Sequence, residues 1–308
     1  MSASKRSRVD WKGYLPAIIT PFGQDLEIDE NGFGQMLEWL HGEGMHGLIV
    51  QGTTGEWTAM SREERARLFR LAGAQMGGKL PLIAGCSSFT ADESIALAKV
   101  AKEAGFEGIL LTVPPYVRPG PAEILNFYET VSREVDMPIC IYNWPPGTGI
   151  DMSLDLLTRL AEIENVVAIK QSTPNFERFC DTFFALKDEV RVFGFPMNEA
   201  GLTMLRTHGG DGTMGAGGVL GRAQTGFYDN LWKGDIEAAR ACGAKDRVLM
   251  AEWYTPDLVG KFGSGPAILK AAFEARGIPG GRVRSPLLDV APADREMIAA
   301  TLKKLGMI

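Results

Sequence analysis

The chain has 308 residues, 45% of them hydrophobic and 23% charged, an ordinary balance for a globular enzyme and one that excludes disorder. Its 32 basic and 38 acidic residues leave a net charge of −6, the opposite of a nucleic-acid binder's basic footprint. No run approaches the roughly 20 apolar residues of a membrane span. The four cysteines, Cys86, Cys140, Cys180 and Cys242, lack any ligand spacing, so no metal is expected and the thiols read as reduced in the cytoplasm.

Residues 1–10 carry Lys5, Arg6 and Arg8 with no apolar run behind them and read as a loose, solvated tail. Tyr14 to Thr20 reads as a first strand, ended by Pro21. Asp29 then caps a helical pattern through Phe33, Met36, Leu37 and Leu40. The unit recurs: Gly47 to Gln51 is a second strand, and a helix comes next that Ser61 caps with Glu64 as its capping-box partner. Further strands are expected at 81–85, 108–112, 138–143, 166–171, 190–194 and 211–215. Helices are expected at about 91–103, 122–134, from 153, and at 198–207.

Eight short apolar strands, each followed by a helix, imply parallel strands covered on both faces. A period of roughly 30 residues suits a closed (β/α)8 TIM barrel, here over 11–232. A doubly wound open sheet is the alternative on pattern alone. Helical patterns beyond the eighth strand exceed what a barrel needs, so 233–308 is expected to form a C-terminal helical extension packed on the barrel or on a neighbouring subunit.

The run Val166 to Gln171 sets Lys170 at the end of an otherwise apolar strand. A strand-end lysine commonly snorkels to water; the other reading is an amine nucleophile whose pKa burial has lowered from its free value near 10.4. In a parallel barrel the strand C-termini share one face, where catalytic groups collect. Thr53 and Thr54 come after strand two, Tyr116 after strand four, and Tyr142 ends strand five. Together with Lys170 these supply an amine for a ketone, hydroxyls and N–H groups for a carboxylate, and a phenol to move protons. Gly210 to Gly215 fits GxGxxG but lies across the eighth strand, outside the context a dinucleotide site needs.

Gly52-Thr53-Thr54-Gly55-Glu56, Tyr142-Asn143-Trp144-Pro145 and Ile169-Lys170 resemble the signatures of the dihydrodipicolinate synthase and N-acetylneuraminate lyase family of class I, pyruvate-handling aldolases. The resemblance runs from Pro16 to Leu287. It implies that Lys170 forms an imine with a 2-oxo acid, pyruvate or a derivative, without any other cofactor, and that Tyr142 is the acid/base. It further implies that Thr53 links Tyr142 to Tyr116, the latter reaching in from a neighbouring subunit of a homotetramer. Gly52 and Thr54 would bind the substrate carboxylate, and the Met214 backbone would approach the bound acid.

The departures concern the far end of the substrate. Synthases of this family have an arginine where this chain has Gly147, and sialic acid lyases place acidic residues where it has Phe195-Pro196-Met197. With Trp57, Trp144 and Phe195, the outer pocket reads as more apolar than in either. The expectation is a Schiff-base lyase that reversibly cleaves a 4-hydroxy-2-oxo acid to pyruvate and an aldehyde. A 2-keto-3-deoxy sugar acid dehydratase, a dihydrodipicolinate synthase (disfavoured by Gly147), a cyclic-imine acid deaminase and a non-catalytic binding protein are the rivals.

Overall fold

The computed structural model describes residues 4–308. The apolar runs bury both faces and therefore lie side by side in parallel, with helices outside. The strands are β1 (Gly13–Tyr14), β2 (Leu48–Val50), β3 (Leu82–Gly85), β4 (Gly108–Thr112), β5 (Ile139–Asn143), β6 (Val166–Gln171), β7 (Arg191–Phe193) and β8 (Gly212–Thr213). They pair in the order β1-β8-β7-β6-β5-β4-β3-β2. The last seam closes where Ala17 bridges Ile49: the Ile18 N–H donates to the Ile49 carbonyl at 3.0 Å, and the Ile49 N–H to that of Pro16 at 2.9 Å. A ring with no free edge is a closed (β/α)8 barrel, not an open sheet. β1 is shorter than the 14–20 run suggests because Pro16 has no N–H to give a ladder.

The helices are α1 (Glu30–Gly42), α2 (Arg62–Met76), α3 (Ala91–Glu103), α4 (Pro121–Glu134), α5 (Pro145–Thr148), α6 (Leu154–Glu162), α7 (Phe176–Leu186), α8 (Glu199–His208), α9 (Arg222–Lys233), α10 (Ile236–Trp253), α11 (Gly265–Ala275) and α12 (Pro292–Lys304). Their starts reflect local chemistry. Asp29 accepts the Gly32 N–H at 2.8 Å, and Ser61 and Glu64 bond each other's N–H groups at 3.2 and 2.8 Å. On α1, Phe33, Met36, Leu37 and Leu40 form the buried stripe. The turn α5, which the sequence did not announce, starts on Pro145 and Pro146, residues whose fixed φ suits a first turn.

Two cores result. Ala17, Ile49, Ile83, Leu110, Cys140, Tyr142, Ala168, Phe193 and Met214 fill the barrel, and a larger cluster lies between strands and helices. Part of the Gly210 to Gly215 motif is explained by close packing: a Cβ on Gly212 would lie 2.0 Å from the Gly13 carbonyl oxygen, at φ 146°.

The N-terminal segment corrects one expectation. Residues 5–8 form a 3-10 turn docked on the barrel rather than a loose tail. Lys5 donates to the carbonyls of Ala161 and Ile163, Arg6 pairs with Asp211 at 2.9 Å, and Val9 is buried. Carbonyls left open at the end of α6 attract such cations, a partner that a charge count cannot show. Residues 1–3 of that segment lie outside the described residues. Among the described residues no helix is long and apolar enough to cross a membrane.

Candidate active site

Lys170 owes its direction to a defect in the sheet. Between β5 and β6, Ile139 pairs with Val166 but Cys140 pairs with Ala168, so Val167 is an extra residue on β6. Val167 and Ala168 both join the inner core, whereas Val166 and Ile169 face outward. Bulges bend a strand and re-aim the side chains beyond them. This one sets Tyr142 opposite Lys170 and Asn143 opposite Gln171. The Lys170 Nζ lies 4.1 Å from the centroid of the Tyr142 ring. Lys170 is 5% exposed, and burial lowers its pKa from 10.5 to about 8. Nearby Cys140 is a neutral thiol, pushed up to about 12 by burial.

Tyr142 is buried, which raises its phenol well above the usual range, while the Thr53 and Ser172 hydroxyls act in the opposite sense. A phenol so placed stays protonated at neutral pH and gives or relays a proton only when a base is generated beside it. Thr53 to Gly55 form a 3-10 turn, with Thr54 buried and Thr53 open to the mouth. The N–H groups of Thr53 and Thr54 donate to no other described backbone group, which leaves them free for an acceptor. Gly52 lies tight on the barrel wall, where a Cβ would come within 3.2 Å of Ala17. Met214 is buried in the inner core, its sulfur 3.8 Å from that of Cys140.

The far end of the site is aromatic. Trp144 stacks on Tyr142, ring centroids 6.0 Å apart at 19°. A Cβ on Gly147 would come within 2.5 Å of the Trp144 ring, so the indole occupies the space a side chain at 147 would need. Arg118, exposed on the β4–α4 loop, packs on the same turn: its Nε would lie 2.8 Å from a Cβ on Gly149.

One expected site residue stands elsewhere, and a second is the one that the resemblance assigns to a neighbouring subunit. Phe195 is buried behind the barrel wall, edge-on to Phe179 and Phe183 at 5.1 and 5.0 Å, because the chain turns outward after β7. It fills the outer core and lines no pocket around Lys170. Tyr116 is 91% exposed, and within one chain nothing brings it to Thr53.

Three supporting residues were not foreseen. Ser172 faces the Tyr142 phenol from two residues beyond the lysine. Asn143, fully buried, donates at 2.7 Å to both Gln171 and Asp151, and Gln171 donates to Thr182 at 2.9 Å. That network ties the ends of β5 and β6 together beside the lysine. The strand register, once known, would have revealed it; the sequence alone offers only two amides at strand ends. Two clefts, of about 410 and 310 Å³, lie around Trp232 and Arg276, away from these groups.

The Dihydrodipicolinate synthetase family profile matches residues 10–305. A 4-hydroxy-tetrahydrodipicolinate synthase of Methanosarcina mazei is 31% identical over 300 residues, which are 97% of this chain and 99% of that one. A dihydrodipicolinate synthase structure from Aquifex aeolicus superposes with a TM-score of 0.86 at 29% identity, covering 96% of this chain and 99% of that one. The chloride-inhibited enzyme of Acinetobacter baumannii, complexed with pyruvate, gives 0.86 at 27% identity, covering 97% and 100%. Taken with the barrel, its buried lysine and the stacked tyrosine, these similarities establish that the chain belongs to the dihydrodipicolinate synthetase family and is a lyase of the class I aldolase type.

Proposed function

We propose that the chain reversibly cleaves a 4-hydroxy-2-oxo acid to pyruvate and an aldehyde through an imine on Lys170. The observation that carries this reading is Lys170 buried against the face of Tyr142 with its pKa lowered to about 8. At pH 7 that leaves roughly 10% of the amine neutral, against ~0.03% for an ordinary lysine, a gain of about 300-fold in nucleophile.

The Lys170 Nζ attacks C2 of the ketone and the oxygen leaves as water, giving a protonated imine. Tyr142, relayed through Thr53, gives its phenol proton to the oxygen expelled from C2 and then, as a phenolate, accepts the proton of the C4 hydroxyl as the C3–C4 bond breaks. The bonding pair moves into the iminium as an enamine, and the aldehyde departs. Protonation at C3 and hydrolysis release pyruvate and the free lysine. Thr54 and the open N–H groups of its turn hold the carboxylate throughout. The imine is the electron sink, so the chemistry calls for no separate cofactor.

The loop after β4 supports a multimeric form. Tyr116 and Val117 are 91% and 82% exposed, and Tyr116 and Arg118 sit at φ 82° and 55°, a conformation side-chain-bearing residues adopt only when something holds them. A second copy covering this loop, within a tetramer, would deliver Tyr116 to a neighbouring Thr53. Four free cysteines suit a reducing compartment, the cytoplasm.

A second reading, dihydrodipicolinate synthesis, draws on Arg118. With Gly147 unable to carry a cation, the exposed guanidinium against Gly149 is the charge available to a second carboxylate. Borohydride trapping with pyruvate and intact mass measurement test the shared step. An adduct is expected on the wild type and none on Lys170→Ala; identical behaviour of the two sinks the reading. Pyruvate release from 4-hydroxy-2-oxo acids, against ring formation from aspartate semialdehyde, separates the two reactions.

A further inference from the structure

The threonine turn is bracketed by two non-glycine residues in the left-handed region, Gln51 at φ 63° and Glu56 at φ 56°. Such conformations persist where the surroundings over-determine them. On the barrel side the anchor is Arg65, 3% exposed, which donates to the Gln51 side chain at 2.9 Å and to the Gly85 and Ser87 carbonyls at 2.7 and 3.1 Å. At the other end the anchor comes from beyond the barrel. Glu56, 2% exposed, pairs with Lys270 of α11, and its carboxylate accepts the Arg284 N–H at 3.1 Å.

Lys270 is as buried as its partner, donates to the Arg282 carbonyl at 2.6 Å and lies over the Phe22 ring at 4.4 Å. The Arg284 side chain in turn grips Glu64 of α2 at 2.6 and 2.9 Å and the Ala59 carbonyl at 3.0 Å. A buried ion pair is a poor source of stability, since apolar residues of the same volume commonly do as well. What it adds is direction. Here the Lys270 ammonium and the Arg284 N–H both meet the carboxylate of Glu56, the residue that ends the Thr53–Gly55 turn.

We propose that the Lys270–Glu56 pair is a positioning device through which the C-terminal extension fixes the turn that presents Thr53 and Thr54 to the 2-oxo acid. It rests on the lyase reading for its substrate. Lys270 touches neither the substrate nor the reacting atoms; it acts through Glu56.

The test uses the shape-matched double variant E56Q/K270M in the full chain, which keeps the fold by leaving no buried charge unpaired, whereas K270M alone strands the Glu56 carboxylate. Hydrogen–deuterium exchange is expected to accelerate about tenfold in a peptide covering 51–57 while the strand peptides stay unchanged. The pyruvate concentration that half-saturates imine trapping is expected to rise about tenfold, with a smaller change in the maximal trapping rate. If either the loop exchange or the half-saturation stays at the wild-type value, the proposal fails, whatever happens to Tm. Should the wild type itself form no adduct, the lyase reading falls, and the exchange measurement alone decides whether the pair holds the turn.

Discussion

Replacing Lys170 with methionine removes a charge that folding must desolvate. The drop in its pKa from 10.5 to about 8 corresponds to roughly 3 kcal/mol against the buried ammonium at pH 7, at about 1.4 kcal/mol per pKa unit. The lowered pKa is a net quantity that already contains any attraction to the Tyr142 face at 4.1 Å, and a methionine sulfur over the same ring recovers a further ~0.3–1.5 kcal/mol. Desolvation therefore wins. Lys170→Met is expected to be more stable than the wild type at pH 7, by about 3 kcal/mol, while losing the imine. Because the folded pKa lies below the unfolded one, the wild type binds fewer protons folded than unfolded between about pH 8 and 10.5 and gains stability as pH rises through that window. The advantage of the variant should thus shrink by about 2 kcal/mol between pH 7 and pH 9.5. Urea unfolding of both proteins at pH 7 and 9.5 measures it. A gap that ignores pH, or a variant less stable at pH 7, refutes the burial argument.

Tyr142→Phe should keep pyruvate trapping and lose about 10²–10⁴-fold in turnover, measured as pyruvate release; an unchanged rate removes its proton-transfer role. Gly147→Arg alone drives a Cβ into the Trp144 ring and is expected to lower stability by ~1–3 kcal/mol, whereas Gly147→Arg with Trp144→Val relieves the overlap; equal unfolding midpoints for the two would contradict it. Asn143→Ala leaves the Gln171 amide oxygen buried without its donor and should cost about 1–3 kcal/mol, with slower imine formation because the end of β6 is no longer tied to β5. Denaturation and trapping kinetics read the two effects separately.

The barrel was legible because its strands are two-faced and its helices are capped by local chemistry. β4 and β6 have the bounds that their apolar runs give, and Asp29, Ser61, Ser153 and Asn198 cap helices through their own side chains. Lys170 stood out for the same reason, as a lone charge on a buried run. The bulge at Val167 did not, since Val-Val-Ala-Ile reads alike in either phase and only the neighbouring strand decides it. Phe195 was misplaced because an aromatic one residue beyond a strand faces inward or outward according to a turn that propensity does not encode. Lys270 was overlooked, although a single cation within Gly-Pro-Ala-Ile-Leu-Lys-Ala-Ala-Phe is the same kind of signal as the one at 170.

The docking of the first residues bears on the order in which this barrel can assemble. Trp11 is fully buried in the barrel interior, its indole N–H 3.3 Å from Glu107, and Arg6 meets Asp211 across a separation of 205 residues. Trp11 and Arg6 therefore come well ahead in the chain of the residues that meet them. Strands two to six pair with sequence neighbours and have no need to wait, whereas the floor is sealed only after β8 arrives to take Gly13. Contacts of such long range are the slow ones in folding. The Arg6–Asp211 pair thus reports the final closure of the ring rather than its beginning.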